Sequence, residues 1–321
     1  MRRVSLSARS PAVALALGIT VAASLLLGAG CLLPGGGPVS GDAGLLESPP
    51  FSELLDTAFR DELPGRLVIY FLATGQSDAT YIRTPGGKVV LIDTGDDPSD
   101  VVPFLRDRKK VTKIDVLVLT HPHQDHIGGA LGILESFDVG ALYDPGFEST
   151  SPVYAEVLAK ALDLVESGRL AYVTGRAGLT VDLGGGAAAR LVHPVDPLDN
   201  EANNASVVAR VTFGSFSALF AGDVEAEAEM EILDRGEDVS ATVLKVAHHG
   251  SGGSSTGEFL AAVGMDVAVI EVGPNSFGHP SPAAVARLES AGAEVFSTLD
   301  GSVIIVHSDG RDWGLLVGQD G

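Results

Sequence analysis

Cysteine occurs once in 321 residues, at Cys31. That excludes a disulfide framework and leaves His, Asp and Glu to hold any metal ion. Such nitrogen and oxygen donors suit Zn²⁺, Mn²⁺ or Fe. Basic residues are also scarce. Lys and Arg total 21 against 42 Asp and Glu, a formal net charge of −21. Proteins that grip nucleic acid through many phosphate contacts carry a basic face, so tight, contact-rich DNA binding is disfavoured. A metal site acting on phosphate or ester groups is not, because bound cations invert the local field. No repeat of short fixed period is present, which sets aside solenoids and propellers.

The ends of the chain differ in kind. Arg2, Arg3 and Arg9 precede an apolar run from Pro11 to Gly30, the pattern of a secretory signal. Gly28-Ala29-Gly30-Cys31 resembles a bacterial lipoprotein signal, although Gly28 stands where a leucine is usual. The resemblance implies that Cys31 is lipidated and anchors the protein to the membrane. An uncleaved anchor is the other reading, since about 20 apolar residues span a bilayer. Both place the body outside the cytoplasm, in the cell envelope or secreted. Residues 1–31 are thus read as signal, the Gly/Pro/Ser-rich residues 32–50 as a flexible tether, and residues 51–321 as one folded domain.

Within that domain, "FSELLDTAF" (51–59) reads as a short helix. "RLVIYFL" (66–72), "ATYIRT" (79–84) and "KVVLIDTG" (88–95) read as strands broken by turns such as Pro85-Gly86-Gly87. "IDVLVLTHPH" is an apolar strand running into a loop, and helical patterns follow at 126–136 and 152–166. "AARLVHP", "SVVARVTFG" and "SALFAGD" are further strands, the last two joined as a hairpin by Gly214-Ser215. Helix and strand then alternate to the end. This order predicts an α/β protein with two mixed sheets face to face and helices outside.

Chemistry-bearing residues cluster at strand ends. His121, His123, Asp125 and His126 follow "DVLVL"; Asp93 follows "KVVLI"; His193 ends "ARLV"; Asp223 follows "SALFAG"; His248 and His249 follow "ATVLKVA". Loops at one edge of a rigid sheet are where chemistry is usually carried. Pro122 disfavours the helical region for His121, and in an extended chain residues two apart point the same way. His121 and His123 can therefore grip one ion, with Asp125 and His126 facing a second where the chain turns into a helix. Gly128 and Gly129 let that helix pack close. Asp223 can bridge the ions, or cap the helix that starts at Val224. Asp93 suits a residue that orients a ligand histidine. Two ions roughly 3.5–4 Å apart can generate hydroxide and clamp attacking and leaving oxygens.

The H-x-H-x-D-H motif after an apolar strand resembles the signature of the metallo-β-lactamase superfamily. "GQSDATYIRTPGGKVVLIDTG", "THPHQDHIGG", "NNASVV", "LFAGD", "KVAHHGSGGS" and "GHPSP" stand in the order of its ComEC-like branch, which includes the nuclease-like domain of bacterial DNA-uptake channels. The likeness covers roughly residues 66–308. It implies a four-layer αββα sandwich with a hydrolytic site of two divalent metal ions, Zn or Mn, at one edge. By position, His121 and His123 would bind the first ion, Asp125 and His126 the second, and Asp223 would bridge. One histidine of "HHGS" would complete the second ion; His248, nearer the strand, is preferred to His249. His193 would be the third histidine of the first ion, unless Asn203-Asn204 occupies that place. Ala73 and Thr74 depart from the branch, which commonly has an acidic residue there.

The expected activity is hydrolysis by a metal-bound hydroxide. Asp125 would orient the water while ligating, and His279 of "FGHPSP" would contact substrate or protonate the leaving group, unless it is simply a loop residue. The favoured substrate, by resemblance, is a phosphodiester, nucleic acid included. The alternatives are a lactonase or β-lactamase at the same site, or a non-enzymatic surface lipoprotein that holds anions through metal.

Overall fold

The computed structural model describes residues 63–319. The signal, the tether and the helix expected at 51–59 lie outside the described residues. Among the described residues, no helix is long and apolar enough to cross a membrane.

Among the described residues, fifteen strands form two sheets. In the eight-stranded sheet the order is β15 (Trp313–Gln319), β14 (Ser302–Ser308), β1 (Leu67–Phe71), β2 (Thr80–Arg83), β3 (Val89–Ile92), β4 (Lys113–Val118), β5 (Asp138–Asp144), β6 (Ala171–Thr174). In the seven-stranded sheet it is β13 (Glu294–Ser297), β12 (Val267–Ile270), β11 (Val243–Lys245), β10 (Phe216–Phe220), β9 (Val208–Phe213), β8 (Ala187–His193), β7 (Thr180–Gly184). Both sheets are mixed, with parallel pairing at β3–β4–β5–β6 and at β10–β11–β12–β13.

The layers follow from side-chain alternation. Along β1, Leu67, Ile69 and Phe71 face the other sheet and meet Leu191, Phe220 and Val243. Val68 and Tyr70 face outward, against α1 (Pro98–Pro103), α3 (Ala130–Ser136) and α4 (Pro152–Glu166). On the other side, Leu219, Leu244 and Ala268 pack under α5 (Ala226–Asp234), α6 (Gly257–Val263) and α7 (Pro282–Ser290). The central strands are thus dry on both faces, which is why they read as continuous apolar runs. The result is the αββα sandwich anticipated from the sequence.

The helix expected at 126–136 is interrupted. A short helix, α2 (Gln124–Ile127), ends where the chain turns, and α3 begins at Ala130. The cause is a pair of diverted backbone bonds. The Asp125 carbonyl accepts from the Asp78 amide at 3.0 Å, and the Gly129 amide donates to Gly95 O at 3.2 Å. The helical bond between Asp125 and Gly129 is replaced by ties to the strand-end loops. Those loops come so close that a Cβ on Gly128 would lie 1.9 Å from Asp96 O, and one on Gly129 2.2 Å from Thr94 O.

The 152–166 helix has the predicted bounds. Ser151 caps it by accepting from the Tyr154 amide, and Pro152 opens its first turn. The 213–216 hairpin closes through Gly214 at φ +59°. Strands β5, β6, β7 and β15, and helix α1, were not legible in the sequence. Three of these strands are sheet edges, and their half-exposed residues dilute the apolar pattern.

Replacing Gly128 by alanine is expected to destabilise the fold by about 3 kcal/mol, because the obstacle is backbone and cannot swing aside. A denaturant titration against the wild-type chain measures this; an unchanged midpoint would refute the close-approach argument.

Candidate metal centre

The ends of β3, β4, β10 and β11 meet at one edge of the sandwich, two from each sheet. Asp93 follows β3, His121 and the α2 turn follow β4, Asp223 follows β10, and His248-His249 follow β11. One oxygen is the hub. Asp223 Oδ2 lies 3.3 Å from His126 Nε2, 3.7 Å from His249 Nε2, 3.8 Å from His121 Nε2 and 3.9 Å from His248 Nε2. Asp125 Oδ2 is 3.3 Å from His249 Nε2, and His123 Nδ1 is 3.0 Å from His121 Nε2. His121, His126, Asp223 and His249 are buried, Asp125 is partly buried, and His123 is exposed.

The histidines are aimed by their other nitrogen. Asp93 accepts from the Thr120 amide and hydroxyl and takes His126 Nδ1 at 2.8 Å, the orienting role expected of it. His249 Nδ1 donates to Glu271 O at 3.0 Å. In each case Nε2 is left facing the hub. Asp223 does not cap α5; the capping position is Glu225.

Backbone strain sits here as well. His248 (φ 51°), His249 (φ 50°) and Asp93 (φ 58°) are three of the five non-glycine residues in the left-handed region among the described residues, a conformation side chains rarely adopt. The two consecutive left-handed residues resolve which histidine of the pair turns inward. His249 is buried against Asp125 and Asp223. His248, favoured from its place nearer the strand, is half-exposed at the rim, with Nδ1 3.3 Å from Glu225 Oε1. The strand ends at Lys245, so strand geometry does not govern the choice.

His193 does not join the cluster. Buried at the end of β8, it donates from Nδ1 to Ser206 O at 2.9 Å and places Nε2 3.6 Å from Glu231. Asn203 and Asn204 bond toward Glu225 instead. His279 stands over the pair, its ring centroid 5.3 Å from His248 and 6.4 Å from His249.

The donor set fits divalent cations. His126 Nε2, His249 Nε2 and Asp223 Oδ1 are buried without a hydrogen-bond partner, a costly condition that an ion would relieve. His121, His126 and Asp223 form one set of mutually close donor atoms, and Asp125, His126 and His249 another. Electrostatics agree. Burial, then the charge on His126, hold His121 well below its ordinary value. Burial alone would raise Asp125, but the nearby His249 ring and the His126 charge bring it to about 2. Burial opposes a charged His126 as well, yet Asp223 and Asp93 push it well above the imidazole range. The carboxylates therefore demand a positive charge at this point.

Beneath His249 lies a charged group that sequence reasoning missed. Lys245 is buried and ion-paired with Asp78, whose Oδ1 is 3.2 Å from His249 Nδ1. Glu271, also buried, accepts from Thr80 Oγ1 at 3.0 Å. Burial lowers Lys245 to about 8 against the Glu271 charge, and raises Glu271 to about 7 against Lys245. The signal was present: a lysine inside the apolar "VLKVA" must have an anionic partner.

The profile of the Metallo-beta-lactamase superfamily matches residues 72–273. ComE operon protein 3 of Bacillus subtilis (strain 168) is 30% identical over 250 residues, covering 70% of this chain and 31% of that protein. Competence protein ComA of Neisseria gonorrhoeae is 28% identical over 229 residues, covering 70% and 30%. The chain thus spans about a third of the length of these curated relatives. Among solved structures, the metallo-beta-lactamase fold protein YhfI from Bacillus subtilis aligns with TM-score 0.49 and 12% identity over 74% of this chain and 98% of that one.

Two outcomes are expected. Metal analysis of His249→Ala should return at least one ion fewer per chain than His248→Ala; equal contents would refute the inward assignment of His249. Lys245→Met should cost about 3–5 kcal/mol of stability, because Asp78 and Glu271 are left buried without their cation. A chemical denaturation midpoint close to that of wild type would overturn this.

Proposed function

Since the chain belongs to the Metallo-beta-lactamase superfamily, in its ComEC-like branch, we propose that it is an extracytoplasmic phosphodiesterase with a dinuclear metal site. The observation that carries the reading is the hub: Asp223 Oδ2 faces four imidazole nitrogens while His126 Nε2 and His249 Nε2 have no hydrogen-bond partner. His121, His123, His126, Asp125, Asp223 and His249 would hold two divalent ions, Zn or Mn. Bound there, such ions supply Lewis acidity and lower the pKa of water enough to make a nucleophile near neutral pH. His193 and His248 are left out of the ligand set, His193 by its bonds to Ser206 and Glu231, His248 by its place at the rim.

The protein's own groups divide the remaining work. Asp93 and the Glu271 carbonyl lock the rings of His126 and His249, so the donor geometry is set before substrate arrives. Asp125, ionised and open on one side, accepts a hydrogen bond from the attacking water and orients it. His279 has an Nδ1 without a partner and stands at the rim, where it hydrogen-bonds the leaving oxygen or gives it a proton. The dry walls around Asp223 strengthen each of these interactions. Phosphodiesters are the substrate class this reading favours, and the likeness to competence proteins supports it. The N-terminal signal reading, with lipidation at Cys31, supports a cell-envelope location for the domain.

The test is hydrolysis of bis-p-nitrophenyl phosphate by the purified domain with Mn²⁺ or Zn²⁺. Turnover is expected to require the metal, to stop on chelation and to be lost in His123→Ala, an exposed position where the fold survives. His279→Ala should lower kcat by about 100-fold if it serves the leaving group. Turnover of lactones or β-lactams with none of diesters would transfer the site to acyl chemistry. Metal binding with no turnover of either would leave a binding protein.

A further inference from the structure

Phe277 is the most exposed of the large apolar side chains among the described residues, at 73%. A single exposed apolar residue is ordinary; the way this one is held is not. Asn275 ties the whole turn. Its Oδ1 accepts from the amides of Phe277, Gly278 and His279 at 3.0, 3.0 and 3.1 Å, and its Nδ2 donates to Gly273 O at 2.8 Å and His279 O at 2.7 Å. Gly278, at φ +82°, supplies the reversal. The turn keeps the Phe277 ring in water while His279 points toward the metal centre. The ring centroids of Phe277 and His279 are 6.0 Å apart, inclined at 36°. From Phe277 through His279 to His248 and His249, aromatic faces lead from solvent to the Asp223 hub.

We propose that Phe277 is the stacking platform for a planar aromatic group, a nucleobase in the natural substrate, carried next to the scissile phosphodiester. The proposal rests on the hydrolase reading of the site and names its substrate class. One flat ring suits the π-face of a base, whereas an acyl chain needs a contiguous apolar surface. None of the other exposed large apolar residues, Leu162, Val165, Leu179, Met230 and Leu299, belongs to this turn. The charge balance points the same way. With a net charge of −21, the chain gains little from phosphate backbone contacts, and stacking is indifferent to that charge. A base inside a duplex is already stacked, so the platform selects single-stranded or terminal nucleotides.

The experiment compares thymidylyl-thymidine with glycerophosphocholine, a diester without an aromatic group, on the Mn²⁺-loaded protein. Phe277→Ala is expected to raise KM for the dinucleotide about tenfold with little change in kcat. The preference for the dinucleotide over glycerophosphocholine should fall by the same factor, and Phe277→Trp should restore it. Equal losses on both substrates, or an unchanged preference, overturn the proposal. A binding measurement separates it from the hydrolase reading. A dinucleotide containing 2-aminopurine should be quenched on binding to wild type and not to Phe277→Ala, whether or not the protein turns over diesters. Absent turnover with quenching intact sinks the hydrolase and spares the platform; identical quenching in both proteins sinks the platform.

Discussion

Everything at the working edge is arranged around one carboxylate oxygen. Asp223 Oδ2 stands within 3.9 Å of four imidazole nitrogens contributed by two strand ends, in a place almost without water. Such a group is unfavourable on its own terms. Burying ionised carboxylates costs several kcal/mol each unless cations or hydrogen bonds answer them. The surroundings answer in part: Asp93 is satisfied by Thr120 and His126, and one oxygen of Asp78 by Lys245. Among the atoms left unanswered, His126 Nε2, His249 Nε2 and Asp223 Oδ1 face the hub and mark where a cation belongs.

The fold bears the cost through close approach and strain. Gly128 and Gly129 let the α2 turn press against the loop after β3, and in doing so give up a helical hydrogen bond. His248 and His249 take left-handed backbone angles that place one ring inside and the other at the rim. Strain of this kind persists only where the scaffold over-determines it. Here the scaffold is two sheets whose central strands are dry on both faces, closed by helices of which α1, α4, α6 and α7 carry a side-chain N-cap.

The same edge separates two tasks. Residues around Asp223 hold charge and orient ligands from positions that solvent barely reaches. The turn at 275–279 reaches outward, stiffened by one asparagine side chain, and presents an aromatic face. Under the proposed reading the two tasks join at His279, which belongs to the outward turn and stands over His248 and His249.

Much of this was legible in the order of the residues. Apolar runs ending in His or Asp fixed the strands, the layers and the identity of the clustered groups, because strand ends on a rigid sheet must emerge together and because three histidines in six residues have few other uses. The edge strands β6, β7 and β15 were not legible, since their half-exposed residues break the continuous apolar run that marks a strand buried on both faces. Nor was the inward turn of His249 rather than His248, which depends on two left-handed backbone angles that no spacing rule encodes. His193 looked equivalent to the others along the chain, but its place in space is set by Ser206 and Glu231, contacts between residues distant in sequence. The pairing of Lys245 with Asp78 likewise spans 167 residues. Local pattern decides which side chains reach the edge. Only tertiary packing decides which of them face one another, because that depends on the register and curvature of both sheets at once.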